Sequence, residues 1–171
     1  GVGNARKTEQ YFVEITGADL YTDASEKVSN FNQTSVFQNT DTFKYRYGMV
    51  NTFSDYNQRH KAGMQSSVRF SFVTDSAGLM VFNTDGTPAK TWMDETVTER
   101  TYDTNALNLQ TEKANVYVLS NTVDELWAET YERFCLSSIT VSQNRVYDFT
   151  QNHLISEDRL TYTLKEDFDG T

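Results

Sequence analysis

The chain has 171 residues, of which 37% are apolar and 13% aromatic, so a single domain with an interior built largely on rings is expected. Fifteen Lys and Arg stand against 24 Asp and Glu, a net charge of -9, which disfavours nucleic acid and anionic lipid and favours neutral or basic partners. A single cysteine, Cys135, excludes an intrachain disulfide and a cysteine-based zinc site, and no apolar run is long enough for membrane insertion as a helix.

Residues 1–9 are polar and aperiodic and read as a flexible or partner-ordered arm without an apolar signal core. YFVEIT, residues 11–16, reads as a first strand. Residues 18–42 scatter apolar side chains among turn formers. That polar connection is longer than the ~12–15 residues usual for an unstructured loop inside a compact domain. Its triplet Asn32-Gln33-Thr34 matches a glycosylation acceptor, a pattern short enough to arise by chance.

FKYRY follows at 43–47. In an extended chain Phe43, Tyr45 and Tyr47 share one face, and Lys44 and Arg46 the other. The rings would serve either as a stacking platform for a ligand or as an inward core face. The inward reading is preferred, because SVRFSFVT at 67–74 repeats the alternation and the core needs rings. Residues 52–61 read as a polar loop between those strands. TDSAG then turns the chain into a short apolar run at 79–82, the returning strand of a hairpin, and Asn83-Thr84-Asp85-Gly86 makes a second turn. Further strands are expected at 95–102 and 114–120, while 105–110 is ambiguous. No internal repeat stands out.

Residues 122–136 carry the helical signal. Val123, Leu126, Trp127, Thr130, Tyr131 and Phe134 follow the spacing of one helix stripe. Thr122 and Glu125 form a capping box, and Glu129 and Arg133 stand four apart. Strands at 138–149 and 159–165 then form a terminal hairpin joined by TQNHLISED. The expected fold is mainly β, one domain over residues 1–171. It is an antiparallel sheet or sandwich with one principal helix on one face, or alternatively a β-barrel closed by that helix.

Signals for chemistry are sparse. His60 and His153 lie in polar segments without metal-ligand spacing. Cys135 sits at the apolar border of the expected helix and reads as a buried, inert thiol. Asp94-Glu95 and Glu157-Asp158 are adjacent pairs that point to opposite faces of a strand, so neither pair flanks one bond, and both read as solvated acidic edges. Asp167-Phe168-Asp169-Gly170 begins like a calcium loop but lacks the rest. No phosphate loop or dinucleotide fingerprint occurs among the eight glycines. No catalytic, cofactor-binding or metal-binding residue is nominated, and no cofactor is expected.

Two long polar segments and an acidic, Thr- and Asn-rich composition point to a non-catalytic assembly subunit of a larger particle, for example a phage head-tail or tail component. Its partners would be other protein subunits, its own or different, in a virion or extracellular setting rather than the cytoplasm. The alternative is an extracellular carbohydrate-binding module stacking sugars on Tyr45 or Trp92. A small hydrolase using His60 or His153 is the third reading.

Overall fold

In the computed structural model, the described residues are 4–15, 43–105, 107–123, 129–148 and 153–164. They form seven strands: β1 (Lys7–Ile15), β2 (Phe43–Tyr56), β3 (Ala62–Phe72), β4 (Lys90–Tyr102), β5 (Leu109–Val123), β6 (Glu129–Asp148) and β7 (His153–Thr163). All belong to one antiparallel sheet in sequence order, with β1 and β7 at its two ends. No helix occurs among the described residues, so the sheet is neither covered nor closed by one there.

This overturns the helix expected at 122–136. Residues 122–123 end β5 and residues 129–136 open β6; residues 124–128 lie outside the described residues. The register runs Val123↔Glu129, Thr122↔Thr130, Asn121↔Tyr131, Leu119↔Arg133 and Val118↔Cys135. Phe134 falls at the register shift, bulges out of the ladder and is 74% exposed. The residues that traced the helical stripe include Val123, Thr130, Tyr131 and Phe134, β-branched or aromatic types that also suit a strand. Pairing with β5 decides between the two periods.

Other boundaries shift less. Three residues of the expected arm, Lys7 to Glu9, belong to β1. Residues 52–56 continue β2 instead of looping. The polar connection at 18–42 lies outside the described residues.

The chain divides into two compact units: Gly1–Glu9, Val50–Arg69 and Trp92–Thr171 in the larger, Gln10–Met49 and Phe70–Thr91 in the smaller. The smaller unit has an aromatic interior. Phe70 is 0% exposed, with Phe72 edge-on at 5.3 Å and Tyr11 at 6.3 Å between ring centroids. Lys90 Nζ lies 4.5 Å from the centre of the Phe70 ring. Gly48 is buried so close to that ring that a Cβ there would collide with it. The preceding residue, Tyr47, therefore faces the other way. It is exposed and stacks on Phe12 at 4.3 Å, which corrects the expectation that it points into the core. The side chains of Phe43 and Tyr45 lie outside the described residues.

Residues 73–89 of this unit hold a repeat that sequence reading missed. VTDSAGLM and VFNTDGTP are successive eight-residue turns with Gly78 and Gly86 at matching places, φ 80° and 82°. Asp75 N donates to Leu79 O and Asn83 N to Thr87 O. The repeats join through Val81 N to Val73 O and Ala89 N to Val81 O, and Val73 N to Ala89 O closes the ring. The expected returning strand at 79–82 is thus reduced to isolated bridges, Thr74↔Met80 and Phe82↔Pro88.

Candidate functional site

In the larger unit the buried polar side chains Asn51, Glu95, Thr98 and Ser142 outnumber the buried apolar ones, Val68 and Leu119, among the described residues. Burying polar groups is costly unless they are bonded, so their partners locate the chemistry of this unit.

Glu95 is 3% exposed. Its Oε1 accepts from Ser66 Oγ at 2.6 Å and from Arg133 Nη2 at 3.1 Å, and its Oε2 accepts from Arg133 Nε at 2.7 Å. Strands β3, β4 and β6 each supply one member. Arg133 leaves 51% of its side chain exposed and lies 4.7 Å from the centre of the Tyr117 ring, opposite Glu95 on β5. Burial works to raise the carboxyl pKa, but the bonds from Arg133 and Ser66 and the Arg133 charge outweigh it and hold Glu95 below its ordinary value. Its sequence neighbour Asp94 points to the opposite face and binds Arg69, with Arg69 Nε at 2.9 Å. The two carboxylates do diverge, as alternation requires, but Glu95 is the opposite of a solvated edge.

A second polar assembly crosses the sheet on the other face of β4. Asn51 Nδ2 donates to Thr8, and Asn51 Oδ1 accepts from Ser67 Oγ at 2.7 Å. Gln65 Nε2 donates to Ser67 at 2.9 Å, Arg100 Nη1 to Gln65 Oε1 at 3.1 Å and Arg100 Nε to Glu112 Oε2 at 2.8 Å. From there the register carries a straight row, Arg100↔Glu112↔Ser142↔Arg159. Ser142 is 2% exposed and accepts from Arg159 Nε, while Arg159 and Arg145 both pair with Glu157. Every strand from β1 to β7 contributes a member. Nothing in one local sequence window marks such a file; only the register assembles it.

A depression of about 560 Å³ is lined by Asp55, Met64, Glu99, Thr101, Lys113 and Val141, among others. It holds no histidine or cysteine.

The residues singled out from the sequence stay apart from these assemblies. His60 is exposed in the turn after β2, at φ 58°. His153 is exposed at the start of β7, opposite Asp148. Cys135, expected to be buried, is exposed on β6. Trp92 is half-buried, with its ring 5.2 Å from Tyr131 and its backbone N–H and C=O bonded to the Asn121 side chain. Among the described residues no three His, Cys, Asp or Glu side chains cluster as metal ligands, and no helix is long and apolar enough to cross a membrane. The calcium-like tail and the Asn32 triplet lie outside the described residues.

The strand expected at 159–165 belongs to β7, which starts earlier, at His153, and takes in part of the expected joining loop TQNHLISED. β7 ends the sheet, and ten of its eleven residues are exposed. Ile155 is 66% exposed, and Leu154, Leu160 and Tyr162 are exposed with it. Leu160 and Tyr162 stand directly opposite Val141 and Ile139 of β6, so the four form one apolar block on one face. The Leu-Thr-Tyr-Thr alternation was visible in the sequence, but its position at a sheet edge was not.

No protein-family model matches the chain, and no curated protein or solved structure matches it.

Proposed function

We propose that the protein is a non-catalytic assembly subunit that joins other protein chains of a larger particle through the edge of β7. The observation that carries this reading is the exposed terminal strand with its apolar block, Ile139, Val141, Leu160 and Tyr162. An edge strand offers a row of N–H and C=O groups to an incoming strand, and alternating side chains beside it add specificity. The wider balance agrees. Five apolar residues are buried among the described residues, whereas sixteen large apolar ones are exposed, so much apolar surface is left for a partner. The net charge of -9 disfavours nucleic acid and anionic lipid in that role. The particle setting itself rests on composition.

The other readings have less behind them. Trp92 commits its ring to Tyr131, which leaves less of its face for a sugar. Neither histidine has a hydroxyl or carboxylate side chain bonded to it among the described residues, so no pairing there supports the hydrolase reading.

Panning a displayed library of random peptides against the whole chain tests the proposal. Peptides alternating apolar with polar residues should be enriched and should lose binding to Thr161→Pro, whose substitution removes an edge N–H. Binding that persists unchanged in that variant, or no enrichment at all, would sink it.

A further inference from the structure

The bonding direction along β7 and the order of its side chains define a partner for the edge. Leu164 N donates to Ser137 O, and the register then runs without a shift from Ser138↔Thr163 to Ser142↔Arg159. Alternation of an antiparallel ladder therefore turns the N–H and C=O of Leu160 and Tyr162 toward β6, and those of Arg159, Thr161 and Thr163 outward. The hydroxyls of Thr140 and Thr161 lie 3.1 Å apart, as expected of the close pair between bonded ones.

We propose that the partner is a second copy of this chain, and that two β7 strands pair antiparallel about a two-fold axis at Thr161. This deepens, and rests on, the reading of β7 as a docking edge. The charges exclude several registers, and the placing of the threonines and apolar side chains favours the one at Thr161. A two-fold axis at residue 157, 158 or 159 would set Glu157, Asp158 or Arg159 against its own copy, a like-charge opposition that destabilises a sheet. An axis at Thr161 avoids all three. It makes Thr161 a bonded pair with its twin and Arg159 a bonded pair with Thr163 of the second copy. Leu160 and Tyr162 then face each other across the axis in the close, non-bonded positions, twice over.

The rows already present in the sheet continue across this junction. Val97, Asn115, Ile139 and Tyr162 form one row, and Glu99, Lys113, Val141 and Leu160 the next. With the axis at Thr161, the Ile139–Tyr162 end of one copy meets the Leu160–Val141 end of the other. An apolar band forms from the same four residues of each chain. On the opposite face Thr140 and Thr161 continue into their twins, a favourable cross-strand hydroxyl arrangement. An isologous contact of this kind closes at two chains. A single strand junction buries less than the ~1,200 Å² of a standard interface, so the dimer is expected to be weak and concentration-dependent.

Sedimentation velocity of the full chain over a wide concentration range tests this. The native chain should shift from monomer to dimer. Thr161→Pro and, as a second variant on an exposed side chain, Tyr162→Glu should remain monomeric with unchanged circular dichroism. In a Cys135→Ser background, Thr161→Cys should form a disulfide-linked dimer under mild oxidation, because bonded antiparallel pairs lie about 5.5 Å apart at Cα, within bridging range. Glu157→Cys should not. A native chain that stays monomeric to its solubility limit, or equal cross-linking at both cysteines, overturns the self-pairing. If the monomeric chain still captures peptides that Thr161→Pro releases, only the second copy is wrong and the docking edge stands. If both experiments fail, the edge reading falls with it.

Discussion

The two units fill their interiors in contrasting ways. In the smaller one, Phe70, Phe72 and Tyr11 pack on one another, with Gly48 against the Phe70 ring, and burial is a matter of ring volume. In the larger one, buried positions hold an amide, a carboxylate and two hydroxyls, and burial depends on each having a partner. Apolar contact is non-directional and tolerates any well-fitting neighbour. A polar interior is directional, so it works only where strand register aligns donors with acceptors. One region should therefore respond to changes in volume, the other to changes in pairing.

The sharpest break is expected at Phe70→Ala. Emptying a fully buried ring site should cost about 3–5 kcal/mol in chemical denaturation, while Phe70→Leu should cost less. Gly48→Ala tests the same interior from the other side. Its new methyl collides with the Phe70 ring, and a loss of about 1–3 kcal/mol is expected from overpacking.

In the larger unit, Glu95→Ala should cost about 2 kcal/mol, less than a fully enclosed pair would, because Arg133 reaches water once released. Replacing both partners together, Glu95→Met with Arg133→Leu, should recover most of that loss, whereas no second change should rescue Phe70→Ala. The pH dependence has a defined sign. The folded carboxyl lies below its ordinary value of 4.5, so the unfolded chain binds the proton more readily between the two values. The stabilisation is present above pH 4.5 and is lost as pH falls through the folded value; Glu95→Gln should flatten that acid limb in urea titrations. The smallest effect belongs to Arg100 and Glu112, a partly exposed pair. A double-mutant cycle should give a coupling of about 0.5–1 kcal/mol that shrinks in salt.

Alternation was a good guide where apolar and polar residues change places strictly. Val68, Phe70 and Phe72 were placed on one face of β3 and are all buried. It failed where a segment satisfies two periods, as at 122–136, and where both faces of a strand are polar, as at 52–56 in β2. At Tyr47 the alternation was right but its sense was inverted, because the neighbour Gly48, not the ring, is what the core demands. The candidate sites were less legible still. Asp94-Glu95 was noticed as a pair, yet its two fates depend on Arg69, Ser66 and Arg133, which are far from it in the chain.

By itself, the sequence determined that this chain is rich in strands, acidic, dependent on rings and without a local signature of catalysis, because composition and period-two alternation are properties of short windows. Only the tertiary structure decided that residues 129–136 join β6, that Glu95 is enclosed by an arginine 38 positions away, and that β7 ends the sheet. Those outcomes follow from which strands neighbour each other and in what register, and pairing energy is shared between segments that no single window contains.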